Sequence, residues 1–254
     1  MDARRLKKIL LSLVEPALRL GFLRSELEQL GESAAAILLD DLAEESEVGD
    51  EGAREVMLSV AILLCQEGRS EFTEALRRQA AAQELFSLDR LVRRAPPPSI
   101  AAPPSDELRI PDYGKGRELS LGERKSLARR PDRRAMEKLC LDPHPLVIRQ
   151  LLENPKMVED DAIRIATIRP ARREAILELA RSHRWLSRPR VRLAIMHNPG
   201  SPPEVAIPLV ALCNREELVD LLKSTETSLV LRGTARELLL RKPPVKEDGN
   251  HTMH

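Results

Sequence analysis

The sequence predicts an all-α protein, with an N-terminal helical bundle followed by an α-solenoid of short helices with a period of about 44 residues. Three observations predict it. Only 2% of the 254 residues are aromatic, while Leu, Ala, Arg and Glu abound, so the interior must be aliphatic and the local preference helical. Apolar residues recur at helical spacing along most of the chain. The segment PLVIRQLLENP at 145–155 returns as PRVRLAIMHNP at 189–199, with both prolines, the Val and the closing Asn at equal offsets. Self-similarity at such a period is the mark of a repeat architecture.

Charge divides the chain. Residues 1–94 carry 13 Lys/Arg against 18 Asp/Glu, a net of −5, whereas residues 105–254 carry 28 against 22, a net of +6. An acidic helical module at 1–94 is therefore expected to precede a basic helical-repeat module at 118–242. Between them, residues 95–104 (APPPSIAAPP) exclude a helix and predict a stiff, extended spacer. Residues 105–117 are polar and carry Gly114 and Gly116, which extends the linker to 117.

In the first module, residues 3–20 place Leu6, Ile9, Leu10, Leu13, Val14 and Ala17 on one face, and Pro16 is expected to start a new turn or kink the helix. Ser25 and Glu28 have the spacing of a capping box for a short helix. Residues 34–45 turn Ile37, Leu38 and Leu42 inward. After a loop at 49–52, residues 53–66 bury Val56, Met57, Val60, Ala61 and Leu64. Gly68 ends that helix, and Ser70 caps another reaching about Arg93.

The second module opens on a capping box, Ser120 with Glu123. Proline then divides it into helices expected at 123–130, 133–141, 146–153, 159–168, 171–182, 189–197, 203–213, 215–223 and 228–241. At 201–204 (Ser201-Pro202-Pro203-Glu204), the sequence offers an N-cap serine, proline at the first helical position and a glutamate on the third residue. The tail from Pro243 is expected to be disordered. Helices of eight to ten residues fall below the ~12–15 that are marginally stable alone, so they require neighbours. In Asn154-Pro155 and Asn198-Pro199, proline stops the helix and asparagine bonds the nearby backbone, so these residues set the interhelical turns.

The pattern V-R-x-A-x-x-x-N-P-x-S-P-x-E-V at 191–205 resembles the leucine-rich repeat variant and the HEAT- or armadillo-like helical repeats of bacterial proteins. Those variant units are shorter, about two dozen residues, and the first copy here carries Met157-Val158-Glu159-Asp160 in place of Ser-Pro-Pro-Glu. The resemblance implies a curved helical stack that binds a partner and has no chemistry of its own. Some such proteins carry an iron–sulfur cluster on a cysteine group; this chain has no such group, and no cofactor is expected.

The candidate binding residues are Arg169, Arg172, Arg173, Arg181, Arg184, Trp185, Arg188, Arg190 and Arg192, a stretch opposed only by Glu174 and Glu178. A second basic run comprises Arg124, Lys125, Arg129, Arg130, Arg133 and Arg134. Arginines beside an aromatic residue can grip phosphates and stack a base; equally, they can pair with carboxylates such as Glu159, Asp160 and Asp161 or with the acidic module. Trp185, in a loop between helices, is either a core anchor or a binding hot spot. His144, His183 and His197 lack metal-ligand spacing, and the three separated cysteines suit buried thiols in a reducing compartment. The N-terminus starts basic and apolar, but Glu15 and Pro16 interrupt it, and no run is long enough to span a membrane, so a cytoplasmic location is expected. The expected function is a non-enzymatic scaffold or adaptor whose partner is another protein, with no membrane partner. The alternative is a nucleic-acid-binding stack. A base-repair type of enzyme, the third reading, would need a carboxylate beside Trp185 in a concave groove.

Overall fold

A computed structural model describes residues 2–98 and 102–242; the tail expected to be disordered lies outside them. Among the described residues the elements are all α-helices, without strands. The first half contains α1 (Ala3–Ser12), α2 (Pro16–Leu30), α3 (Glu32–Glu47), α4 (Glu51–Leu64), α5 (Ser70–Ala82) and α6 (Phe86–Val92). The second contains α7 (Leu121–Ala128), α8 (Arg133–Leu139), α9 (Pro145–Leu152), α10 (Glu159–Thr167), α11 (Arg173–Arg181), α12 (His183–Leu186), α13 (Pro189–Met196), α14 (Pro203–Val210), α15 (Arg215–Lys223) and α16 (Leu229–Arg241). Among the described residues no helix is long and apolar enough to cross a membrane.

The centre of the first half is α4, started by Asp50, whose Oδ1 accepts from the Ala53 N–H at 2.6 Å. Of its expected inward face, Val56, Met57, Val60 and Ala61 are buried and Leu64 is half-buried, while Leu58, Ile62 and Leu63 on its other sides are buried too. The reason is that α4 packs on α1, α2 and α3 one way and on α11, α12 and α14 the other. A helix apolar all round belongs inside, and the run MLSVAILL already has that character. Both halves thus contribute to one continuous aliphatic core.

Several local expectations are corrected. Of the two outcomes expected at Pro16, a new start is the one found, but the break turns Val14 out to 89% exposure and leaves Ala17 exposed as well, against the single face expected. Ser25 opens no helix: it lies within α2, and its Oγ accepts from Gln29. The break comes at Gly31, whose φ of 75° suits glycine. Ile37 faces outward on α3, whereas Leu38 and Leu42 are buried. The single helix expected from Ser70 to Arg93 is two, because Glu84 adopts φ 56° and Leu85 N–H bonds back to Ala80 O. Asp40 then accepts from Leu88 N–H at 2.8 Å and anchors the short α6 from a distant helix. Ser70 is the first residue of α5 and caps nothing.

In the second half, the Ser120–Glu123 capping box forms as expected. The segment before it carries more order than its composition suggests. Tyr113 is buried, and its hydroxyl donates to Asp142 Oδ2 at 2.5 Å. Buried Asp142 also receives Arg124 Nη1 on both oxygens, at 2.6 and 2.8 Å, and the His144 N–H at 2.9 Å. The Ser201 side chain donates to Ile195 O at 2.6 Å instead of capping, and Pro202 takes the N-cap position. Trp185 sits in a short helix, α12, and not in a loop.

Two turns are built alike. Asn154 Nδ2 donates to Ala128 O and Arg130 O at 2.7 and 2.9 Å, at the end of α7. Asn198 Nδ2 donates to Ala166 O and Ile168 O at the same two distances, at the end of α10. Each asparagine oxygen accepts the N–H two residues on, Lys156 and Gly200 respectively. Pro155 and Pro199 stop the preceding helices, and Leu151 and Ile195 are fully buried behind the turns. Asn154→Ala and Asn198→Ala each strand carbonyls at a helix end, and each is expected to cost about 1–3 kcal/mol. Urea unfolding checks this, and similar losses at the two sites are the specific expectation.

Cys65, Cys140 and Cys213 are free and buried. Burial pushes the Cys65 and Cys140 thiols up to about 12 and raises Cys213 as well. In the unfolded chain a thiol ionises near ~8.5, so above that pH the unfolded state holds fewer protons than the folded one and stability falls. Lys242, drawn down to about 8 by burial, works in the opposite direction as one group against three. Urea midpoints are therefore expected to drop between about pH 8.5 and 10.5, and Cys65→Ala is expected to flatten that slope.

Candidate partner-binding groove

A groove of about 910 Å³ lies between the two halves. Its walls are α2, the turn from α4 to α5, and the C-terminal ends of α9 and α11. Gly68, at φ 74°, makes that turn and lets Glu67 and Arg69 face the groove. Charged residues of both signs line it in equal number: Arg24, Arg69, Arg149 and Arg181 against Glu28, Glu67, Glu153 and Glu178.

Most of these charges hold one another. Glu178 is buried and accepts from Arg149 Nε at 2.7 Å and Nη2 at 2.9 Å, and from Arg181 Nη1 at 2.7 Å. Glu67, across the groove, accepts from the same two arginines at 2.9 and 3.2 Å. Arg181 Nε reaches Cys65 O at 2.8 Å and ties α11 to the end of α4. On the opposite wall, Arg69 donates to Glu28 at 2.8 Å and lies over the Phe72 ring. Arg69 beside it lowers the Glu28 carboxyl from its ordinary range, and Glu178 with Glu67 raises Arg149.

The arginines singled out in 169–192 are dispersed. Arg181 alone lines this groove. Arg169 pairs with Glu226 at 2.6 Å, Arg173 with Glu204, and Arg190 with Asp160 at 3.3 Å. Arg172 donates to Leu141 O, and Arg192 donates to Leu186 O and Ser187 O. Burial depresses the pKa of both Arg172 and Arg192. Arg184 bonds Asn154 O at 2.9 Å and Met157 O at 3.0 Å while stacked 4.3 Å from the Trp185 ring centre. Trp185 is 3% exposed and donates from Nε1 to Leu152 O at 2.9 Å. Arg188 is exposed and has no carboxylate partner among the described residues. Asn154, Pro155, Asn198 and Pro199 serve the turns described above.

In the second basic run, Arg124 is spent on Asp142, Arg133 on Asp161 and Arg129 on Gln150. Glu159, Asp160 and Asp161 occupy the first turn of α10, where the helix dipole favours them. His144 caps α9 and His197 meets Asp220 at 3.0 Å, while His183 begins α12. No group of three His, Cys, Asp or Glu residues could hold a metal among the described residues.

The sequence offers Glu28 only as half of a capping box and gives no site signal for Glu67, Arg69 or Arg149. Each is isolated in sequence, and the groove exists only because α2 and α4 are brought against α9 and α11. The one available signal was the opposite net charge of the two halves. Fold and groove together define an all-helical protein with a mixed-charge groove between an acidic and a basic half. No protein-family model, curated protein or solved structure matches the chain.

Proposed function

We propose that the chain is a non-enzymatic helical-repeat scaffold that binds another protein in the groove between its halves. The observation that carries this reading is the lining. Its four arginines and four glutamates are largely paired in advance, so a partner segment carrying both signs would meet fixed donors and acceptors with little ordering left to do. The equivalent bonds of Asn154 and Asn198 support reading 121–241 as stacked units with a period of about 44 residues. Three buried free thiols support a cytoplasmic location. The nucleic-acid alternative has less support, because most arginines it would use are engaged internally and Trp185 has no free face on which to stack a base.

The test is affinity capture from the native organism with the wild-type chain and with Arg24→Glu/Glu153→Arg, two exposed positions on the groove wall. A protein held by the first and lost by the second is expected. A gel shift by DNA or RNA that weakens steeply with salt, unaffected by the groove variant, would instead favour the alternative.

A further inference from the structure

A second concavity, of about 380 Å³, lies where the strap before α7 meets that helix. Lys115 and Arg117 line it from the strap and Arg130 from just beyond the end of α7, together with the exposed Ser126. Leu119 and Leu127 supply apolar wall. Glu123 is the one carboxylate in the lining, and it is already committed: it accepts from Arg117 Nη1 at 3.0 Å and from the Ser120 N–H at 2.9 Å. Lys115 and Arg130 are exposed and have no carboxylate partner among the described residues. Three cations against one anion leave the lining at a net of +2, whereas the groove between the halves is balanced. The strap that carries Lys115 is held in place. Tyr113 is anchored on Asp142, Lys138 Nζ donates to Asp112 O at 2.7 Å, and Arg117 closes on Glu123. Gly114 and Gly116, at φ 71° and 67°, supply left-handed turns on either side of Lys115. Asn154 bonds Ala128 O and Arg130 O, so those acceptors at the end of α7 are already satisfied.

We propose that this cavity binds a phosphate monoester, carried by a free small molecule or by a phosphorylated side chain. A monoester approaches two negative charges at neutral pH, which matches the net of +2 in the lining. Its oxygens accept charge-assisted hydrogen bonds from lysine and arginine, and its organic part rests on Leu119 and Leu127. A phosphodiester chain fits less well, because it carries one charge per phosphate and needs cations strung along a track. Here the neighbouring arginines are spent elsewhere, Arg124 on Asp142, Arg129 on Gln150 and Arg133 on Asp161. This inference does not depend on the groove between the halves.

Phenyl phosphate titrated into the full chain and followed by phosphorus NMR is expected to occupy one site, with a Kd on the order of 1 mM or tighter. Low ionic strength is used, since salt screens exposed cations. Lys115→Ala and Arg130→Ala should each weaken binding about tenfold, the effect of losing one hydrogen bond to a charged group. Arg134→Ala, which removes an exposed arginine outside the cavity, should leave binding unchanged. Unchanged circular-dichroism melts establish that the variants are folded. A short phosphoserine peptide separates the two sources. Tighter binding than phenyl phosphate assigns the site to a phosphorylated side chain, and equal or weaker binding assigns it to a free small molecule; either result supports the site if Lys115→Ala and Arg130→Ala weaken it. Absence of binding at about 10 mM phenyl phosphate would overturn the proposal. So would undiminished binding by both alanine variants, or an equal loss in Arg134→Ala, which would reduce the effect to general surface charge. A single-stranded oligonucleotide that binds more tightly than phenyl phosphate at equal phosphate concentration, with the same dependence on Lys115 and Arg130, would overturn the assignment to a monoester.

Discussion

Glu47→Ala is expected to destabilise the protein by about 3–5 kcal/mol, the range for removing one partner of a buried ion pair. Glu47 is 1% exposed, at the end of α3. It accepts from Arg90 through both oxygens at 2.7 and 2.6 Å and from Ser87 Oγ at 3.0 Å, and it forms an ion pair with Arg241, whose Nε lies 2.7 Å away. Arg90 comes from α6 and Arg241 from the end of α16, so one carboxylate joins elements from both halves of the chain. Without it two guanidinium groups face each other with no anion between them. Urea unfolding of Glu47→Ala, Arg90→Ala and the double variant checks the account: the double variant should be less damaged than the two single losses summed, by about 1–3 kcal/mol.

Trp185→Ala is expected to cost about 3–5 kcal/mol as well, for a different reason. The indole fills core space between α12 and α4, and its N–H satisfies Leu152 O at the end of α9. Arg184, stacked on the ring, bonds Asn154 O and Met157 O, so both residues clamp the first Asn-Pro turn. Removing the ring leaves a cavity, a Leu152 carbonyl with only a long bond from Arg184 Nη1 at 3.4 Å, and an unsupported arginine. For a chain of this size the melting temperature should fall by roughly 6–20 °C. Trp185→Phe, which keeps most of the volume but not the N–H, should fall by less. A loss under 1 kcal/mol for Trp185→Ala would mean that the side chain is dispensable to the core.

The helical class, most helix positions in the second half, the Ser120 capping box and the Asn-Pro turns were legible because each is written locally. Propensity, apolar spacing and a proline or cap residue act within a few positions. What was not legible is decided between distant segments. Ser25-x-x-Glu28 has a capping-box spacing, but the surrounding residues are helix formers and nothing breaks the backbone before Gly31. The split between α5 and α6 has no proline or glycine; Asp40, far away in sequence, helps fix it through the Leu88 N–H. Tyr113 looked like part of a polar linker, and only its meeting with Asp142 and Arg124 makes it structural. The same holds for the charges. An arginine run in sequence suggested a basic face, whereas folding delivers carboxylates from elsewhere, such as Glu226 to Arg169, Glu204 to Arg173 and Glu67 to Arg181. The mixed-charge groove could not be read at all, since its walls meet only when the halves do.

Equilibrium urea unfolding followed at once by Trp185 fluorescence and far-ultraviolet circular dichroism is the direct test of a single shared interior. Trp185 is the only tryptophan and reports on α12 where it meets α4, whereas circular dichroism reports on every helix. Helices this short, wrapped around one α4, should lose structure together, giving coincident single transitions. Two separated steps in circular dichroism, with fluorescence following only one, would contradict it and would mean that each half carries a core of its own.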